Sequence, residues 1–190
     1  MTDLMAPRTE IRLAGEGGQG MILAGIILAE AASIYDHKMA VQTQSYGPEA
    51  RGGASKSEVI IAAGEIDHPE VLSADVVVTL SQEAYDKYAF GIKPGGLLIV
   101  DDEKVYHVTA PDVVKIPISR LAFETTGKSI TANVVALGVL VGLTGVVSRL
   151  AIEKAVTARA PRGTEEMNRK ALEAGFEAAA AETVSGWQGK

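Results

Sequence analysis

No cysteine occurs in the 190 residues. Its absence excludes disulfides, a cysteine nucleophile and any thiolate-ligated metal or cluster from this chain. Histidine is scarce as well: His37, His68 and His107 are scattered, without the spacing of a metal site. Positive charge is also short, with 18 Lys and Arg against 24 Asp and Glu and a formal net charge of −6. That balance argues against a nucleic-acid binder relying on a broad basic surface, though not against a local basic pocket for a phosphorylated ligand. The opening "MTDLMAPRTE" has no apolar stretch of a secretory signal. The one long apolar run, Ile130–Val147, is 18 residues and carries Thr131, Asn133 and Thr144. It sits at the lower edge of membrane-spanning length and reads as a buried helix, so the cytoplasm is the expected compartment.

What is present describes an ordinary globular protein. With 47% hydrophobic and 22% charged residues, and no internal repeat or low-complexity linker, residues 1–190 read as one domain with a sizeable core. Strands are expected at Glu10–Ala14, Met39–Gln44, Ser57–Ala63, Ala74–Leu80, Leu97–Asp102 and Val113–Ile116, with the third strand open to pairing as a hairpin with the next segment of chain. Helices are expected at 20–35, after Ser81 as a cap, at 118–126, and at about 130–146, 148–159 and 164–183, with "KPGG" (Lys93–Gly96) as a turn. Alternating strands and helices predict an α/β fold of three layers, α/β/α: a Rossmann-like, largely parallel sheet followed by C-terminal helices.

The first chemical feature is "LAGEGGQGMILAG", Leu13–Gly25. Gly15, Gly17 and Gly20 fit a G-x-G-x-x-G spacing between a strand and a helix. Glycine there allows a tight turn and a close ligand approach, and the helix start offers free N–H groups to an anion. A tight packed turn would also explain it. A dinucleotide site needs an acid at the end of the second strand, and here that strand ends in Gln44, Ser45 and Tyr46. Asp36 lies before the strand and Glu49 well beyond it, so NAD is disfavoured.

The second feature is "SYGPEARGGAS", Ser45–Ser55. Arg51, followed by Gly52 and Gly53, can aim a planar donor fork and backbone amides at one phosphate or carboxylate. In a parallel sheet both loops would lie at one carboxyl edge and share an anion site. Alternatively, Arg51 pairs with Glu49 or a neighbouring subunit and the loop is an interface. Asp101 and Asp102 close a strand, where surface acids are common and catalytic ones rarer. Asn133 needs a hydrogen-bond partner if buried. Gly138 and Gly142, with Gly145 a turn on, would admit another backbone, and this apolar helix makes a homodimer of the isolated chain an expectation.

Taken together, "GEGGQG", "SYGPEARGGAS", "ADVVVTL", "KPGGLLIVD", "IPISRLAFE", "TANVVALGVL" and "EEMNRKALEAG" resemble the gamma subunit, or gamma domain, of the 2-oxoacid:ferredoxin oxidoreductases. The likeness runs from about Ile11 to Gly145 and into the closing helix. It implies a complex that oxidatively decarboxylates a 2-oxoacid and transfers the acyl group to coenzyme A. Thiamine diphosphate, magnesium and iron–sulfur clusters would then be held by alpha, beta and ferredoxin-like delta partners. This chain would hold none of them firmly and perform no redox step. The resemblance carries Gly17, Gly18, Gln19 and Gly20 of the first loop, and Tyr46, Gly47, Arg51, Gly52 and Gly53 of the second, as the residues facing coenzyme A. A short chain in a split-subunit organisation leans the substrate toward 2-oxoglutarate over pyruvate. The competing expectations are a stand-alone Rossmann-like nucleotide enzyme and a pure assembly module whose glycines serve only packing.

Overall fold

The computed structural model describes residues 8–47 and 53–182. Its middle layer is a six-stranded sheet made of β1 (Arg8–Glu16), β2 (Met39–Tyr46), β3 (Ala54–Ala62), β4 (Ala74–Thr79), β5 (Ile92–Asp101) and β6 (Val114–Ile116). In space the order is β2-β3-β1-β4-β5-β6. Around it lie α1 (Met21–Glu30), α2 (Gln82–Tyr88), α3 (Ile118–Thr126), α4 (Ala132–Thr144), α5 (Arg149–Arg159) and α6 (Glu165–Ala181). α1 runs on to Tyr35 through one wider π turn, so the expected helix has its full length with a loosened end.

The sheet is mixed rather than uniformly parallel. β1, β4, β5 and β6 pair in parallel, but β3 runs antiparallel between β1 and β2. The expected hairpin of β3 forms with the preceding strand, not with the segment after it. The side chains explain the placement. β3 is buried at every position but one and takes the central place beside β1, while β2 is half exposed and fits an edge. "KPGG" does not end a loop before β5; it bulges within that strand, where the pairing steps from Ala74–Ile92 to Val76–Leu97.

Alternate strand residues feed two cores. Ile11, Leu13, Val59, Ile61, Val76, Val78, Leu97 and Ile99 pack under α1, α3, α4, α5 and α6. Ile60, Val77, Leu98 and Val100 pack on the opposite face with Tyr85 and Ala89, in and just after α2. The three layers are therefore unequal, with one small helix on the second face. That face also holds charges that no sequence motif marks: the Arg12 Nε donates to Glu58 at 2.7 Å, and its remaining donors reach the carbonyls of Val71, Tyr88 and Phe90. Lys56 pairs with Glu58 at 2.9 Å, and Lys93 bridges Asp75 and Glu10 at 2.8 and 3.2 Å. Such a network is tolerable in a dry layer because its charges are paired and hydrogen-bonded.

α4 is the apolar run seen in the sequence, and it is buried from Ala132 through Val141. Thirteen residues span about 20 Å, short of the ~30 Å of a bilayer core. Among the described residues no helix is long and apolar enough to cross a membrane. The backbone that Gly138 admits belongs to α6 of the same chain, and Gly142 makes room for the Ala179 methyl of that helix. A Cβ at Gly138 would lie 2.3 Å from the Leu172 carbonyl oxygen, and one at Gly175 would lie 2.3 Å from that of Val135. This helix face is thus occupied within the chain, which removes the basis on which self-association was expected; Gly145 instead ends α4 in the left-handed region.

Gly175→Ala should therefore destabilise the fold. Alanine gains about 1 kcal/mol of helix propensity, but forcing two backbones apart costs about 1–3 kcal/mol or more. A lower urea midpoint at unchanged m-value is the expected readout; an unchanged or higher midpoint would show that α4 and α6 separate freely.

Candidate functional site

β1 ends in the glycine loop. The Gln19 N–H closes a turn on the Glu16 carbonyl at 3.1 Å, and Gly18 and Gly20 adopt φ of 98° and 74°, a region glycine enters without strain. Gly20 is the N-cap of α1, which has no side-chain cap and no acid in its first turn. The backbone N–H groups of Gly18, Gly20 and Met21–Leu23 have no partner among the described residues. They are open donors at the positive end of a helix.

Two side-chain amides hold this loop. Gln19 Oε1 accepts from the Glu16 N–H at 2.7 Å, while its Nε2 donates to the Leu80 carbonyl at 3.0 Å. Both ends of Gln19 are thus spent inside the chain, which makes it a brace of the loop. Asn133, 5% exposed, donates from Nδ2 to the Gly20 carbonyl at 3.2 Å, and its Oδ1 accepts the Val134 N–H at 2.9 Å. The partner demanded by this buried amide is the first glycine loop itself.

The second loop comes to the same place by an unexpected route. Because β3 lies antiparallel beside β1, the hairpin between β2 and β3 turns at the carboxyl end of β1. The Gly17 N–H donates to the Gly53 carbonyl and the Gly47 N–H to that of Ala54, both at 3.0 Å. Gly17, Gly18, Gln19, Gly20, Gly47 and Gly53 therefore share one edge, with Tyr46 at the end of β2 exposed to solvent. Arg51 and Gly52 lie outside the described residues. The same topology adds to the case against a dinucleotide: the strand next to β1 on this side is β3, which presents its start, not its end, so no parallel second strand can offer a ribose acid there.

Beside the loop opens a cleft of about 340 Å³, in which Gly18, Gly20 and Asn133 meet the apolar Leu23, Ile27 and Met167. Lys128 and Arg159 also line it, and Arg159 is ion-paired with Glu30. Asn168, another lining residue, is tied back to the Thr164 carbonyl at 2.9 Å. A second cleft of about 540 Å³, lined by Arg120 and Phe123, lies across Ile130 and shares Gly18. Arg120 and Met167 lie in stretches that carried the resemblance, but neither they nor Lys128 stood out as site residues in the sequence. They reach the glycine edge only because α3, the segment before α4, and α6 pack over it.

Of the remaining candidates, Ser81 and Asp101 serve the fold. Ser81 caps α2 through the Ala84 N–H at 3.2 Å. His37, His68 and His107 are exposed and apart, and no group of three potential metal ligands occurs among the described residues. Asp102 is exposed. Asp101 is fully buried and receives the Ser119 N–H at 3.0 Å, the Ser119 hydroxyl, and the Glu103 N–H at 3.1 Å, so it ties β5 to the start of α3. Burial pushes its carboxyl above the ordinary value, the Ser119 and Glu103 donors pull it part of the way back, and the Glu103 charge adds to the rise.

The fold and this edge define an α/β module with an open helix terminus, two glycine loops joined at one edge and an apolar cleft beside them. Residues 10–178 match the profile described as pyruvate ferredoxin/flavodoxin oxidoreductase. The 2-oxoglutarate synthase subunit KorC of Methanocaldococcus jannaschii is 54% identical over 176 residues, covering 90% of this chain and 94% of that one. Among solved structures, the keto/oxoacid ferredoxin oxidoreductase gamma subunit from Geobacter sulfurreducens superposes with a TM-score of 0.85 at 53% identity, covering 93% and 98% of the two chains. The 2-oxoglutarate:ferredoxin oxidoreductase from Magnetococcus marinus, with 2-oxoglutarate, coenzyme A and succinyl-CoA bound, gives 0.82 at 25% identity, over 93% of this chain and 32% of that longer one. This chain belongs to the pyruvate ferredoxin/flavodoxin oxidoreductase family, and within it matches separate gamma-type chains over nearly their whole length.

Asp101 supplies a pH test. A carboxyl with a raised folded-state value binds its proton more tightly folded than unfolded, so its contribution falls as pH rises from the ordinary 3.8 through the raised value. The unfolding free energy of the wild type should lose ground to that of Asp101→Asn across this window. A difference between the two that is flat with pH would place the titration elsewhere.

Proposed function

We propose that this chain is the gamma subunit of a 2-oxoglutarate:ferredoxin oxidoreductase, a complex that decarboxylates 2-oxoglutarate oxidatively and passes the acyl group to coenzyme A. Its own part is to help assemble the complex and to hold coenzyme A at the glycine edge. The observation that carries this reading is the joining of the two glycine loops, through Gly17 and Gly53, at an uncapped helix start beside an apolar cleft. Coenzyme A combines phosphates with a long, largely apolar arm, and this edge supplies donors for the first and a trough for the second. The identity to KorC chains at 49–54% supports 2-oxoglutarate over other oxoacids. The neighbour with coenzyme A and succinyl-CoA bound supports the ligand.

This chain's residues do not fit the redox groups of such a complex. A chain without cysteine cannot supply thiolates to an iron–sulfur cluster. On this reading thiamine diphosphate, magnesium and the clusters fall to alpha, beta and ferredoxin-like delta partners, and the isolated chain is inactive. Here the first loop's amides, Lys128 and Arg51 bind and orient the thiol donor, and Gln19 holds the loop rigid while they do so. A pure assembly module does not need the first loop's amides open to a ligand.

The test is reconstitution with the partner chains and a dye-reduction assay dependent on both 2-oxoglutarate and coenzyme A. Losing one charge-assisted contact, Arg51→Ala should raise the KM for coenzyme A by about 10- to 100-fold, leaving assembly and the KM for 2-oxoglutarate as they were. An unchanged coenzyme A KM with weakened assembly would favour the assembly-only role.

A further inference from the structure

α4 is built from alanine, valine, leucine and glycine between Ala132 and Leu143, with one amide side chain among them. A buried amide costs free energy unless both its ends are satisfied, so Asn133 invites an explanation. Its flanking residues, Ala132 and Val134, are buried and apolar. Its Nδ2 reaches across 113 positions of chain to the Gly20 carbonyl. That carbonyl also accepts the Ala24 N–H at 2.9 Å, the first hydrogen bond of α1. A Cβ at Gly20 would lie 2.6 Å from Nδ2, so the asparagine packs directly against the left-handed glycine.

We propose that Asn133 is a positioning residue for the anionic ligand of the glycine loop. Its amide pins the Gly20 peptide with the carbonyl turned into the core. The peptide groups on either side are thereby held with their N–H donors outward, at the start of α1 and on the wall of the cleft that Asn133 itself lines. Gln19 anchors the same loop to the end of β4, so the five residues from Glu16 to Gly20 are held at two points. A loop held this way meets an anion without reorganising, and binding loses less conformational freedom. Neither end of the Asn133 amide is free to contact a ligand, so it acts through Gly20. The identity of the ligand rests on the coenzyme A reading above; the clamp does not.

The test uses Asn133→Ala and Asn133→Asp; the pair is used because either replacement alone could disturb α4. In hydrogen exchange on the full chain, the hydrogen-bonded amides of Gln19 and Ala24 should exchange at least about tenfold faster in both variants, with α4 and α6 otherwise protected. In the reconstituted complex the KM for coenzyme A should rise about tenfold, the effect of one lost hydrogen bond, with the KM for 2-oxoglutarate and kcat at saturating coenzyme A unchanged. The Asp variant, which puts a carboxylate at an anion site, should lose more than Ala. Unchanged exchange at Gln19 and Ala24, or exchange that rises equally through α4 and α6, would overturn the positioning role. Faster exchange of the loop alone with an unchanged coenzyme A KM would uphold the clamp and overturn coenzyme A as its ligand.

Discussion

The contact between α4 and α6 at Gly138 and Gly175 governs the rest of the structure. With no Cβ on either helix at the crossing, the two backbones touch, and α4 sinks to the centre of the thicker helical layer. Only there can a 13-residue helix of this composition be dry from Ala132 to Val141. From that position its first turn lies against the glycine loop, and Asn133 meets Gly20. A helix–helix contact far from any ligand thus sets the depth at which the loop is held.

The sheet adds a second constraint. A hairpin that folds β3 back against β1 brings a loop from the edge of the sheet to its middle, where Gly17 and Gly53 join. The two loops converge at the carboxyl end of β1, as an anion site requires, yet not through the parallel neighbour that a dinucleotide fold would use. One strand inserted in the opposite direction is enough to remove the ribose position of a dinucleotide fold while the glycine turn at the start of α1 stays. The opposite face, with Arg12, Glu58, Lys93 and Asp75, closes the thinner layer by charge pairing where one small helix cannot close it with apolar surface.

Much of this could be read along the chain. The helix at Ile118–Thr126, the Ser81 cap and the buried character of 130–147 arise from local patterns: hydrophobic period, capping residues and the lack of charge. The glycine loop and its helix were equally legible, since a turn of that kind needs glycine wherever it occurs. The orientation of β3 was not, because a run such as "EVIIAA" states that a strand is buried but not which way its neighbour runs. Nor was the partner of Asn133, which is 113 residues away, nor the place of Lys128 and Met167 on the cleft.

By itself, then, the amino-acid order determined the set of elements, the absence of thiolate chemistry, the glycine turns and the family to which their sequence of motifs belongs, because each depends on residues within a few positions of one another. The tertiary structure alone decided that α4 is covered by α6, that the two loops meet, and that Gln19 and Asn133 brace the loop. Those outcomes rest on contacts between segments far apart in the chain, up to 113 residues for Asn133 and Gly20, where backbone approach and buried hydrogen bonds, not local propensity, select the arrangement.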